Sequence, residues 1–122
     1  PPYYPKGELT DKTVRFFISE IIREKILLNF KQEIPYSVEI VVEAYKELEE
    51  IIHIAANIFV MRESQKMIIL GKGGQAIRRL GTDARKDIEA FVGKQVFLDL
   101  TVKVNKDWRD DDRQLKRFGY EV

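Results

Sequence analysis

Residues 68–77 read IILGKGGQAI: an apolar run, then three glycines and a lysine in four positions, then the start of a helix. Glycine removes side-chain bulk, so backbone amides can approach an anion closely, and several phosphate-binding devices begin this way. A P-loop needs G-x-x-x-x-G-K-[ST], whose hydroxyl holds magnesium. Here Lys72 is followed by Gly73 and Gly74, no Ser or Thr is adjacent, and no glycine lies five positions before Gly71. A near-match to a guanine-recognition motif, Asn105-Lys106-Asp107-Trp108, fails because an aspartate would be required where Trp108 stands. Gly71, Gly73 and Ala76 do satisfy the dinucleotide pattern G-x-G-x-x-[GA]. That device, however, needs a parallel sheet fed by repeated crossovers and an acid ending the next strand. Asp99 comes late and in mid-strand, and the chain offers a single crossover. What remains is a four-residue G-x-x-G loop, Gly71-Lys72-Gly73-Gly74, joining two helices, with the next helix aiming its N-terminal amides at a sugar–phosphate backbone. A plain tight turn between helices would use the same glycines.

The charge around the loop favours a polyanion. From Arg62 to Lys86 there are seven basic residues (Arg62, Lys66, Lys72, Arg78, Arg79, Arg85, Lys86) against Glu63 and Asp83. The whole chain carries 21 basic and 20 acidic residues for a net charge of +1, so the local excess is offset elsewhere, as in Glu39 to Glu50. Arg78 and Arg85 are seven apart, as are Arg79 and Lys86, and the two pairs should line the solvent side of a helix whose Ile77, Leu80 and Ala84 face inward.

At 122 residues the chain is sized for one domain with a modest core, and 44% hydrophobic with 34% charged residues is a globular composition. There is no cysteine and a single histidine, His53, which excludes disulfides, thiolate chemistry and histidine-rich metal sites. No segment has the apolar length to span a bilayer. The first nine residues hold three of the four prolines and read as a linker from a longer protein, leaving 10–122 as the folded domain.

Thr10 and Asp11 suit a helix N-cap and first-turn acid, and Phe17, Ile18, Ile21, Ile22, Ile26 and Leu28 predict a helix over roughly 11–30. Val38, Ile40, Val42 and Ala44 alternate with Glu39, Val41 and Glu43, predicting a strand with one buried face. Ile52, Ile54, Ala56, Ile58 and Val60 predict a second strand, paired with the first as an antiparallel hairpin. Ile77, Leu80, Ala84, Ile88 and Phe91 predict a helix ending at Gly93, and Val96 to Val104 a third strand. Ser64–Leu70 fits strand or helix by period alone; the helix-loop-helix setting of the glycines favours a short helix. Asp107 to Phe118 suits a short final helix packing through Trp108, Leu115 and Phe118. His53 should lie on the outer sheet face, Asp110-Asp111-Asp112 read as first-turn acids, and Phe16, Phe17 and Phe30 as core or domain-contact residues. Arg23-Glu24-Lys25 fits surface pairs or contact with another domain. Gly81, inside a helix, implies either close helix packing, the favoured reading, or close approach of a ligand.

This order, with the loop Ile68 to Gly74, resembles a type II KH domain, a reader of single-stranded RNA. The resemblance extends to Tyr4-Pro5, Leu9-Thr10-Asp11, Ser19 to Lys25, Pro35 to Val38, Ser64-Gln65-Lys66, Gly81, Ala84 to Asp87, Val102 to Val104, Trp108 and Gly119-Tyr120. In combination these are similar to the C-terminal domain of the Era family of bacterial ribosome-assembly GTPases. The resemblance implies an α+β fold, α-β-β-α-α-β, with a three-stranded sheet covered on one face by helices and a short C-terminal helix. It implies a non-catalytic chain that binds the 3′ end of 16S rRNA in assembly of the 30S subunit. It also implies a missing N-terminal GTPase domain as partner, with GTP and Mg confined to that domain and no cofactor in this chain. A cytoplasmic setting follows, with peripheral contact to the inner membrane as an option the family allows. On this reading Gly71, Gly73 and Gly74 permit backbone approach, Gly73 adding flexibility, while Lys72 and Arg78 contact phosphates. Ile69 and Ile77 flank a base groove, and Lys66, Arg79, Arg85 and Lys86 extend the basic surface. The alternative is a protein-interaction domain that docks a partner or its own GTPase domain.

Overall fold

In the computed structural model, the described residues are 10–30 and 38–105. Helix α1 spans Asp11–Asn29, and its start is closed by Thr10, whose hydroxyl accepts the Thr13 N–H at 3.0 Å. Asp11 in the first turn complements the dipole. Ile18, Ile22 and Ile26 are fully buried, whereas Leu28, expected on the same apolar face, is 57% exposed because it lies far round the helix from Ile22 and Ile26.

Strands β1 (Glu39–Glu47) and β2 (Ile51–Val60) form the predicted antiparallel hairpin, and β3 (Gln95–Val104) joins the free side of β2 in parallel. The parallel pairing requires a crossover, supplied by α2 (Glu63–Leu70) and α3 (Gln75–Val92). The short segment before the loop is thus helical. Gln65 fastens its start by accepting the Met61 and Arg62 N–H groups, each at 3.0 Å. Gly93, with φ of 75°, ends α3 as expected, and its N–H donates to the Glu89 carbonyl. Ile52, Ile54, Ala56, Ile58 and Val60 from β2 meet Leu80, Ala84 and Ile88 of α3 and the three α1 isoleucines in one core.

Two expectations for β1 need correction. The pairing jumps from Val42↔Ala56 to Ala44↔Ala55, so Glu43 is an extra residue and the alternation flips after it. Ala44 is therefore exposed, and Tyr45 takes the inward place, where burial pushes its phenol up. Glu43 instead accepts the Asn57 side-chain amide at 2.7 Å. Glu39, expected outside, is buried against Arg23 at 2.8 Å.

That contact explains how α1 sits. Arg15 donates to the Val42 carbonyl and Arg23 to the Val38 carbonyl, at 2.9 and 3.1 Å. Eight helical residues rise about 12 Å and four strand residues about 13 Å, so the two arginines match the strand when α1 runs antiparallel along its edge. An edge strand left bare would present unpaired backbone groups. Lys25 crosses to Asp87 of α3 at 2.8 Å, and this hydrogen bond holds its ammonium above the ordinary value. The Arg23-Glu24-Lys25 group thus makes contacts within the domain. Phe30 is buried, Phe17 packs on Phe91, and Phe16 is mostly exposed. His53 stands on the outer face beside Phe97. Among the described residues no helix is long and apolar enough to cross a membrane, and no acidic or histidine cluster is arranged to hold a metal. The expected linker 1–9, the Asp110 to Asp112 acids and the final helix lie outside the described residues.

Candidate nucleic-acid interface

The loop is shaped by its glycines. Gly71, Gly73 and Gly74 have φ of 75°, 62° and 76°, the left-handed region that side chains rarely adopt. At Gly71 a Cβ would lie 2.5 Å from the Ala76 Cβ, so the helices could not approach as they do with any larger residue. The Gly74 N–H donates to the Gly71 carbonyl at 3.1 Å and closes the turn. A Cβ at Gly73 would meet nothing within 4 Å: this position faces open space. Gly73 therefore supplies a required left-handed conformation, which is more specific than added flexibility.

Beyond the loop, α3 begins without a side-chain cap and without an acid in its first turn. The Gly74 and Gln75 N–H groups are taken by the Gly71 and Lys72 carbonyls, and the rest of the first turn with its positive dipole end is open to an outside acceptor. Lys72 is exposed on the loop, and Arg78 stands one turn into α3. Among the described residues, Lys66, Lys72, Arg78, Arg79 and Lys86 have no ion-pair partner.

From the loop a groove of about 510 Å³ runs between α3 and the outer edge of β3. Gly74, Ile77, Arg78, Gly81 and Arg85 line one wall, and the Val96 to Leu100 stretch lines the other. The strand wall is polar along its backbone. Val96 sends its N–H away from β2 to Glu89 at 2.9 Å, and by alternation Leu98 and Leu100 turn their backbone N–H and C=O to the same free edge. Glu89 also accepts both hydrogen bonds of Arg85 Nη1 at 3.1 Å. The Val96 N–H foremost, and then Arg85, hold its carboxyl below the usual carboxylate range.

The predicted residues thus divide. Gly71, Lys72, Gly73, Gly74, Ile77 and Arg78 come together at one end of the groove. Arg85 lines it further along, with part of its charge answered by Glu89. Arg79 and Lys86 are each one residue on, about 100° round the helix, and face solvent outside the groove. The expectation for Ile69 needs correction: it is fully buried and supports the site from beneath without flanking a base. Lys66 lies half-buried on α2. Sequence reasoning missed the β3 wall, because alternation reveals a strand but not which edge stays open or which helix lies beside it. The packing reading of Gly81 also fails, since a Cβ there would make only ordinary contact, 3.8 Å from Leu100 Cδ1.

Comparison with known proteins agrees with this geometry. The GTPase Era of Geotalea uraniireducens is 49% identical over 122 residues, and that of Syntrophus aciditrophicus 51%. The chain spans about two fifths of their length, 41% and 40%. Among solved structures, Era of Aquifex aeolicus bound to GDP and aluminium fluoride superposes with a TM-score of 0.83 at 34% identity, covering 100% of this chain and 42% of that one. Era in complex with MgGDPNP and nucleotides 1506–1542 of 16S ribosomal RNA superposes with a TM-score of 0.84 at 34% identity, covering 100% of this chain and 41% of that one. Residues 33–109 match the KH domain model, and the chain accordingly belongs to the KH domain family.

Proposed function

We propose that this chain is a non-catalytic RNA-binding module that holds single-stranded RNA at the 3′ end of 16S rRNA during assembly of the 30S subunit, in the cytoplasm. The observation that carries the reading is the likeness, along the whole chain, to Era solved with nucleotides 1506–1542 of that RNA. The site supplies the chemistry. A phosphate placed over Gly73 and Gly74 meets the uncapped start of α3 and the charges of Lys72 and Arg78. The adjoining unpaired bases enter the groove, rest on Ile77, and turn their edges to the free backbone groups of Leu98 and Leu100. Nucleotide and magnesium chemistry is assigned to the part of Era-like proteins outside this chain, which holds no P-loop; such a domain is also a partner in the full-length protein. Contact with the inner membrane would be a property of the assembled protein, with no spanning helix needed.

The test is salt-dependent binding of the 16S fragment 1506–1542. Two phosphate contacts give a slope of log affinity against log salt of about −1.4, from about −0.7 per contact on a single strand. The double variant Lys72→Asp, Gly73→Asp should abolish binding and keep the fold, since residue 73 faces open space and aspartate tolerates the left-handed region. Undiminished affinity in that variant would refute RNA binding through the loop and leave a protein-interaction role in its place.

A further inference from the structure

The outer face of the sheet is uneven. On β2 the outward side chains are buried at one end, at Asn57 and Phe59, and open at the other, where His53 is exposed. His53 pairs with Lys46 of β1 and with Phe97 of β3, so one row across the sheet carries an ammonium, an imidazole and a phenyl ring. Phe97 is 54% exposed, which leaves more than half of a large apolar side chain outside any core. Its ring centre stands 5.3 Å from that of His53, and the two planes are tilted by 39°. The next outward row, Ala44, Ala55 and Asp99, sets two methyl groups beside the rings. A flat ring laid here has an aromatic pair at one side and a low floor at the other. Lys46 is exposed and, among the described residues, has no ion-pair partner.

This row is continuous with the groove. Phe97 borders the groove and directly follows Val96, whose N–H is held by Glu89, itself bonded to Arg85. It therefore stands at the end away from the loop. From Ile77 to Arg85 the helix rises about 12 Å, so a strand gripped at the loop soon runs out past Arg85. Straight ahead it meets the Glu89 carboxylate, which repels phosphate and already occupies the Val96 N–H. Over β3 it meets Phe97, His53 and Lys46. We infer that Phe97, with His53 beside it, is a stacking platform on the outer face of the sheet for a base of the RNA that has left the groove. This rests on the RNA-binding reading and adds a base position outside the groove. A ring face accepts any base, so the platform lengthens the bound strand without reading its sequence. Lys46 answers the phosphate, and Asp99 turns that phosphate toward the β1 side. A protein occupant fits poorly, because Phe97 is the one large apolar side chain in these two rows and a stable interface buries about 800 Å² per partner.

The test measures the affinity of Phe97→Ala and Phe97→Tyr, in the whole chain, for the 16S fragment 1506–1542 and for copies of it that each lack one base. Phe97→Ala should bind the intact fragment about ten-fold more weakly, the usual loss of one base stacked on an aromatic ring. Phe97→Tyr keeps the ring and should bind as the wild type does. One missing base should cost the wild-type chain about the same ten-fold and cost Phe97→Ala nothing further, because ring and base act as a pair. Unchanged affinity in Phe97→Ala would overturn the inference and leave the row to a protein partner. A loss that simply adds to that of every missing base would overturn it too, by showing that Phe97 supports the fold and stacks on nothing. In either case the loss of binding in the Lys72→Asp, Gly73→Asp variant would still uphold the RNA-binding reading, whereas wild-type chain that ignores the fragment would remove both.

Discussion

The first turns of α1 and α3 face the same electrostatic problem, N–H groups with no preceding helical turn to accept them and a positive dipole end. At α1 the answer is internal: Thr10 accepts the Thr13 N–H and Asp11 supplies negative charge. At α3 neither device is present. Left-handed glycines lead into the helix, no side chain caps it, and Lys72 and Arg78 add positive charge where a first-turn acid would relieve it. One helix start is closed by its own side chains, and the other is not. On the proposed RNA-binding role, the difference marks where stability is withheld in favour of binding.

The comparison can be broken most directly at the loop. Reversing charge with Lys72→Asp and Gly73→Asp should weaken RNA binding by more than about 100-fold by electrophoretic shift, because phosphate contacts carry most of the affinity. Gly71→Ala strikes the loop's architecture. The clash with Ala76 and the positive φ together should lower stability by about 2–3 kcal/mol in denaturant titration, with binding falling alongside. The α1 counterpart, Thr10→Ala, should cost about 1 kcal/mol of stability and leave RNA affinity untouched. If it weakened binding instead, the division between a structural and a binding helix start would be false.

Two smaller effects sharpen the picture. Arg79→Ala with Lys86→Ala should weaken binding only about three-fold and change the salt slope less than Arg78→Ala, since these side chains lie outside the groove. Acid titration should register Glu89. Its folded-state pKa is depressed, chiefly by the Val96 N–H and then by Arg85, so its contribution is present above the ordinary carboxylate range and is lost as pH falls through the lowered value. In Glu89→Gln the acid limb of the stability curve should flatten slightly. An unchanged limb would show that this carboxylate does not hold the start of β3 to α3.

Much of this was legible in the residues. The periods of Ile18 to Ile26, Ile52 to Val60 and Leu80 to Ile88 mark helix, strand and helix, because burial on one face writes itself locally. The cap at Thr10, the stop at Gly93 and the G-x-x-G loop are likewise local chemistry. The Glu43 bulge escaped, since one inserted residue breaks an alternation without announcing where. Ile69 misled because an apolar residue beside a loop reads equally well as wall or as foundation, and only its burial separates the two.

By itself the sequence determined the elements, their order and the loop's need for glycine, all of which depend on residues within a turn or two of each other. Only the tertiary structure decided that β3 lies parallel to β2 with its far edge open beside α3, and so made the groove. It also decided that Arg78 and Arg85 border that groove while Arg79 and Lys86 do not, and that Gly81 sits across from Leu100. The physical reason is distance along the chain: a wall built from α3 and β3 comes into being only when the crossover brings them side by side.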